Sequence, residues 1–361
     1  MARPTSASIH TDALRHNLAQ ARARAPHSRV MAVVKADGYG LGAVTVARRL
    51  WVEGARRFFV ARLAEGEALR AGLRAERPAT IYVLDGMTLG TGPRFADAAL
   101  TPVLSSLPQV GAAMAVARGQ GRPLPVALQI DTGMNRQGVA LGEARALAQS
   151  IDGLRGLDLT LVMSHLGSGT SPEDPHNALQ LARFGEARAL FPNVQASLAA
   201  SAGIFLGGDY LFDLVRPGVS LYGGGPEERP DPRLKAVVQF AAPILDIRTV
   251  RVGERLGYGS QVVAERTMRI AVVGAGYADG VIRAARVGYV WFGGARRRLL
   301  IVNMDLLAFE LGDSDAEIGA AVELLGENAL LDDLAGAAGT VAHEVLVRLG
   351  SRGERIYLGE V

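Results

Sequence analysis

Val30-Met31-Ala32-Val33-Val34-Lys35-Ala36-Asp37-Gly38-Tyr39-Gly40-Leu41-Gly42 is the stretch from which the rest of the chain is read. Val30 to Val34 is short, apolar and rich in β-branched residues, and glycines bound it downstream, which is the pattern of a fully buried strand. Lys35 therefore stands where a strand ends. Lys35 and Lys235 are the only lysines among 39 basic residues, so plain positive charge in this chain is supplied by arginine. A guanidinium holds its proton, whereas an amine with a lowered pKa attacks carbonyls, and Lys35 is on that ground a candidate for imine chemistry. The ordinary alternative is a solvated loop lysine. A rival reading comes from Gly38-Tyr39-Gly40-Leu41-Gly42-Ala43, which fits the G-x-G-x-x-A dinucleotide fingerprint. The next strand, around Phe58 to Val60, ends in Ala61-Arg62 rather than in an acidic residue, so this rival is an NADP-dependent barrel oxidoreductase.

At 361 residues the chain has room for two domains, or for one barrel with an appendage. The formal charge of +3 shows no basic stripe, and no nucleic-acid partner is expected. Arg296-Arg297-Arg298, flanked by glycines and an apolar run, reads as a solvated turn between strands. The absence of cysteine excludes disulfides, thiolate metal sites and cysteine nucleophiles. The segment from Met1 to His10 has no apolar signal-like core, and no eighteen-residue apolar run follows, so the expectation is a cytoplasmic protein with no membrane partner.

The apolar run before Lys35 is the first of a series. Others lie at 58–60, 81–84, 100–104, 126–130, 159–163, 194–198 and 212–215, most of them separated by stretches of helical period. Eight strands alternating with helices predict an α/β fold with an N-terminal TIM (β/α)8 barrel over residues 1–230. After the proline- and charge-rich break at 226–232, short turn-rich runs predict a mostly β C-terminal domain over 231–361. A barrel places its active site at the C-terminal ends of its strands. That rule selects Gln129 and Asp131 to Arg136, Ser164-His165, Ala200 to Gly203, and Arg216 to Val219. Taken singly, His165 reads as a core residue, Arg216 as a structural ion pair and Ser201 as a helix cap. Together, Ser201-Ala202-Gly203 and Gly218-Val219 offer a phosphate nest in the same mouth as an amine, a pairing that pyridoxal phosphate requires.

Ala13 to Leu18, Val34 to Gly40, Asp131 to Met134 with Arg136 and Gly138, Ser164-His165, and Val215 to Gly218 with Leu221 to Gly223 carry a resemblance. Tyr258-Gly259, Gly276 to Gly280 and Met304-Asp305 complete it. Over nearly its whole length the chain resembles the alanine racemases, pyridoxal-phosphate isomerases built from a barrel and a β domain. The resemblance implies that Lys35 holds the cofactor as an internal aldimine and then acts as a base on one face of the amino acid's Cα. It implies that Tyr258, from the partner subunit of an obligate homodimer, serves the opposite face, with His165 relaying between Tyr258 and Arg216. Arg216 faces the pyridine nitrogen and favours racemisation over transamination. Tyr39, Ser201, Gly218 and Val219 hold the phosphate. Arg136 and the Met304 backbone take the substrate carboxylate, and Tyr277 and Asp305 shape the entrance. D-alanine biosynthesis for peptidoglycan precursors is one use that the resemblance implies, and D-alanine breakdown stays open beside it.

Several positions depart from the family pattern. Gln129 stands where many relatives have a carbamylated lysine that orients the arginine matching Arg136, and an amide brings a hydrogen bond without a charge. Asn303, Leu41, Ala200 and Ser351 replace a common cysteine, histidine, asparagine and phosphate-binding tyrosine. Two further readings stay open at this stage: a broad-specificity or serine racemase, and a non-catalytic pyridoxal-phosphate carrier on a similar barrel. The length of the second domain and the presence of Tyr258 weigh against the carrier.

Overall fold

The structure, a computed structural model, describes residues 5–150, 152–260, 262–349 and 352–359. The chain forms two compact units: one of Leu18–Gly38 and Gly42–Leu221, the other of the residues up to Asn17, Tyr39–Leu41 and those from Tyr222 onward.

The first unit is the expected barrel. Parallel strands follow one another in space in the order Ala32–Val33, Arg57–Val60, Thr80–Val83, Thr101–Leu104, Leu124–Asp131, Leu157–Met163 and Gln195–Ser197. Leu214–Val215 closes the ring. It pairs in parallel with Arg29–Val30, and its carbonyl at Val215 accepts from Met31 N–H at 2.8 Å. On its other side Arg216 N–H donates to Ala199 at 2.9 Å, and Ser197 Oγ donates to the Leu214 carbonyl at 2.7 Å. Each strand falls on one of the apolar runs named above. Met31, Phe59, Tyr82, Val103, Ala127, Leu161, Met163 and Leu214 fill the interior, one strand after another, with Phe59 and Tyr82 stacked at 4.7 Å. Burying a side chain of that size stabilises the fold by roughly 1.5–3 kcal/mol.

Between strands, helices turn an apolar stripe inward. In Ala43–Val52 the stripe is Val46, Ala47 and Leu50. In Leu107–Gln120 the ends are written into the sequence: Ser106 caps the start by accepting from Gln109 N–H, Pro108 sits in the first turn, and Gly121 ends it at φ 62°.

The second unit is mostly β. Its spine is the thirteen-residue strand Val238–Val250, which pairs antiparallel with both Met268–Val273 and Ala321–Leu325. From Met268–Val273 the sheet runs through Leu307–Glu310, Ala295–Val302 and Tyr289–Phe292 to Ala321–Leu325, so it closes on itself. Val250, Leu256, Met268, Ile270 and Leu300 form a core cluster, and the helices Leu331–Ala337 and Ala342–Arg348 belong to the same unit.

Three features correct the sequence reading. Ser6–His10 does not belong to the barrel, where the expected span 1–230 puts it; it pairs antiparallel with residues 238–241 and parallel with Glu354–Leu358. The arginines at 296–298 lie inside the strand Ala295–Val302, and the turn is made by Gly293-Gly294, both at positive φ, which is the geometry of a two-residue hairpin. Arg296 accordingly lies over the Tyr289 ring at 4.2 Å and pairs with Asp333 at 3.1 Å. Leu307–Glu310 is a strand that the sequence reading does not name.

Ile9 is wholly buried in the added strand. Ile9→Ala is expected to destabilise the protein by about 2–4 kcal/mol, read from the urea midpoint, whereas a dangling N-terminal segment would show almost no change.

Candidate active site

Lys35 opens a single turn, Lys35–Tyr39, in which Ala36, Asp37, Gly38 and Tyr39 all have φ between 53° and 64°. This is a left-handed turn, and each non-glycine residue in that conformation costs roughly 1–2 kcal/mol. Local hydrogen bonds offset the cost. Ala36 N–H donates to Glu65 Oε1 at 2.9 Å, Gly38 N–H to the Val34 carbonyl at 2.9 Å, and Gly42 N–H to the Asp37 carbonyl at 2.8 Å. Glu65 also accepts from the N–H groups of Ala61 and Arg62, so one carboxylate ties the Lys35 turn to the end of the next strand. The same turn removes the dinucleotide reading: the first N–H of the following helix, at Ala43, is already taken by Asp37 Oδ1 at 2.9 Å.

The Lys35 amine is half-buried, and burial followed by the Arg136 charge lowers its pKa below the free amine's 10.5, with Glu65 opposing. Arg216 is buried at the end of the closing strand. Its Nη1 donates to the Ser197 carbonyl at 2.8 Å and to Ser197 Oγ at 2.6 Å, and its Nη2 to the Ser164 carbonyl at 2.5 Å. These partners are neutral, so Arg216 is not the ion pair of the ordinary reading. Burial pushes it down to about 9, which leaves it charged at neutral pH. Nε lies outside this set of bonds.

Ser201 is not a helix cap either. Its Oγ accepts from Gly218 N–H at 2.9 Å and Ser220 N–H at 3.2 Å, which folds the loops after the last two strands around one hydroxyl. Gln129 is buried and donates from Nε2 to the Gln137 carbonyl at 2.9 Å, bracing the loop that carries Arg136. Beside Arg216's acceptor Ser164 stands His165, whose carbonyl accepts from Gln180 Nε2 at 2.9 Å. Lys35, Gln129, Arg136, His165, Ser201, Arg216, Gly218 and Val219 thus all lie at the C-terminal ends of strands of one barrel.

The remaining predicted residues belong to the β unit. Tyr39 is buried there between Tyr222 and His343, with ring centroids 4.5 and 5.7 Å away, and burial raises its phenol pKa. Tyr277 N–H donates to the Asn303 carbonyl and Ala278 N–H to that of Met304, both at 2.9 Å. A side chain at Gly276 would meet the Met304 carbonyl at 2.3 Å, so only glycine lets these two loops join. Arg352 bridges Asp279 at 2.9 Å and Asp305 at 2.7 Å. Tyr258 sits on a turn packed against Ile301 and is 76 % exposed. Ser351 lies outside the described residues.

The chain matches the family models for the N-terminal domain of alanine racemase over residues 9–226 and for its C-terminal domain over residues 237–357. The chain belongs to the alanine racemase family. It is 40 % identical to the catabolic alanine racemase of Agrobacterium fabrum, across 97 % of this chain and 91 % of that protein. It is 39 % identical to alanine racemase of Brucella ovis, across 97 % and 92 %. Among solved structures, alanine racemase from Bartonella henselae with covalently bound pyridoxal phosphate superposes with a TM-score of 0.92 at 32 % identity, covering 99 % of this chain and all of that one. The biosynthetic alanine racemase of Pseudomonas aeruginosa gives 0.91 at 35 % identity, with 99 % of this chain and 100 % of that one covered.

Sequence reasoning missed Glu65, Gln180 and Ser220. Glu65 had a signal, an acid three residues into a helix, but its reach back to the Ala36 N–H had none. Gln180, fully buried, takes Gly167 N–H on its oxygen and gives its amide hydrogens to the His165 carbonyl and Thr132 Oγ1, positions far from it in sequence.

Because the folded-state pKa of Lys35 lies below 10.5, the unfolded chain binds more protons between the two values, and stability rises with pH through that window. Lys35→Met is therefore expected to stabilise the cofactor-free protein at pH 7, with the gain shrinking as pH approaches 10.5. Urea midpoints of both proteins at pH 7 and pH 10 measure this, and a gain independent of pH would contradict it.

Proposed function

We propose that this protein is a pyridoxal-phosphate-dependent racemase that interconverts L- and D-alanine and works as a homodimer. The observation that carries the reading is Arg216: a buried guanidinium in the barrel mouth that keeps its charge and gives its terminal hydrogens to neutral oxygens.

The residues fit the cofactor. Lys35 presents an amine of lowered pKa, the Ser201 hydroxyl with the Gly218 and Val219 backbone suits a phosphate, and Tyr39, kept neutral by burial, is a further donor assigned to it. When bound, pyridoxal phosphate supplies an aldehyde for amines to condense with and a ring that draws electrons from the substrate Cα. Lys35 Nζ holds or takes the proton on one face of Cα, and Tyr258 of the partner subunit does so on the other. In one direction the phenol gives its proton as the amine takes one; the reverse direction exchanges the roles. Arg136 and the Met304 backbone N–H fix the substrate carboxylate, so that Cα lies between the two bases, and Tyr277 and Asp305 narrow the approach. Gln129 holds the Arg136 loop through the Gln137 carbonyl, a neutral bond, and Asp131 Oδ1 braces the loop's start by accepting from the Gly133 and Asn135 N–H groups at 2.9 and 3.2 Å. Arg216 withholds its proton from the ring nitrogen, which keeps electron withdrawal weak and returns the proton to Cα rather than elsewhere. His165 carries the relay between Tyr258 and Arg216.

The exposure of Tyr258, Tyr277 and Met304 supports the homodimer, since a second copy gives these side chains something to serve. The family's two-base geometry supports the same reading.

Borohydride treatment of the yellow holoenzyme is expected to bleach it and leave the label on Lys35. Tyr258→Phe is expected to retain the cofactor's colour but lose racemisation by about 10²–10⁴-fold, measured as circular dichroism of alanine solutions; unimpaired racemisation would refute the second base. Added bicarbonate is expected to leave the rate unchanged, because the amide of Gln129 has no amine to carbamylate. Strong activation by bicarbonate would count against this assignment of Gln129.

A further inference from the structure

The other end of the barrel holds a feature that racemisation does not use. At the N-terminal ends of the first strands lies a cavity of about 570 Å³, lined among others by Arg22, Arg29, Arg56, Arg57, Ser28 and Thr80 and by no acidic residue. Arg29 begins the strand that ends at Lys35, and Arg57 begins the next, so the cavity is a full strand length from the mouth.

Its charge is unbalanced. Elsewhere arginines meet carboxylates, as in Arg49 with Glu53 at 2.9 Å and Arg94 with Glu67 at 2.6 Å. Among the described residues no carboxylate pairs with Arg22, Arg29 or Arg57. Glu53 is engaged by Arg49, and Asp213, whose carbonyl accepts from the Arg29 N–H at 2.9 Å, has its carboxylate engaged by the Ala196 N–H at 2.8 Å and, more loosely, by Arg188. Arg56 is partly spent, donating to the Trp51 and Ala55 carbonyls while lying over the Trp51 ring at 4.0 Å. The C-terminal ends of Thr11–Arg24 and Ala43–Val52 also lie at this cavity, and each helix end brings about half a negative charge. Against four guanidiniums that leaves an excess of roughly three positive charges. Arg57 Nη1 is closed to solvent and has no hydrogen-bond partner, so it lies behind the cavity wall and Arg57 meets the cavity with its other atoms.

We infer that this cavity is a binding site for a multiply charged phosphate anion, pyrophosphate or the phosphate chain of a nucleotide, held by Arg22, Arg29 and Arg57. Guanidinium forks match phosphate oxygens two by two, and the Thr80 hydroxyl supplies a smaller donor at the wall, whereas the Ser28 hydroxyl is given to the Phe212 carbonyl at 2.6 Å. An ammonium or single-charge chloride site would not need three free forks.

The test uses holoenzyme and inorganic pyrophosphate at constant ionic strength set with KCl. Calorimetric titration is expected to show saturable binding, with a rise in Tm and no loss of the bound cofactor's absorbance. Arg29→Gln and Arg57→Gln are each expected to weaken binding at least tenfold while racemisation is unchanged. Arg29 is exposed, so its variant reports even if Arg57→Gln folds poorly. A nucleoside triphosphate binding as tightly as pyrophosphate supports recognition of the phosphate chain alone, and tighter nucleotide binding, lost in the same variants, supports a nucleotide as the source. Binding that survives both substitutions, a Tm rise that KCl reproduces, or titration accompanied by loss of cofactor absorbance would each overturn the inference.

Discussion

Arg216 closes the barrel with its backbone and conditions the mouth with its side chain. The N–H that joins the last strand to Ala199 and the guanidinium that gathers the Ser164 and Ser197 carbonyls belong to the same residue. A barrel seam and a charged donor therefore cannot shift independently. Taking an arginine out of water is expensive, and the expense is met by a ring of carbonyls rather than by a counter-charge, so the net positive charge stays in the mouth. The Ser201–Gly218 hydrogen bond hangs on the two strands that this residue stitches together, and the strand ending at Lys35 bonds to the same seam at Val215 and Pro217.

Lys35 complements this arrangement: burial and the Arg136 charge lower the pKa of its amine, while the wholly enclosed Arg216 guanidinium, pushed down to about 9, stays charged at neutral pH. The scarcity of lysine in the chain is thus a division of labour. Arginines hold charge at fixed points, and the one lysine at a strand end in the barrel is the cation whose pKa burial lowers. The left-handed turn that follows aims this amine, with Glu65 and Asp37 tying down a backbone that would otherwise relax.

Much of the barrel was legible because strands covered on both faces read as unbroken apolar runs, and because the positions just after them select the site. Lys35, Arg216 and Ser201 emerged in this way, and their partners could not. Gln180 reaches Thr132 from a helix 48 residues on, and nothing local distinguishes it from a surface glutamine. The turn at Ala36, Asp37 and Tyr39 uses a conformation that none of these residues prefers, so propensity argued against it. Arg296 to Arg298 were read as a turn because charge suggested solvent, while the neighbouring glycine pair had the geometry the hairpin needed. The fate of Ser6–His10 was hidden for a simpler reason: its partners are remote in the sequence.

That strand carries a consequence for biogenesis. Ser6–His10 lies between the segment at 238–241 and Glu354–Leu358, so this strand is synthesised before either of its neighbours and gains the second only after the whole β unit has followed. The barrel's own strands are complete by Val215, whereas the β unit must keep this early strand unpaired until the segment at 238–241 has been made. Nascent chains stalled beyond the barrel should thus be the ones that most need shielding by a chaperone.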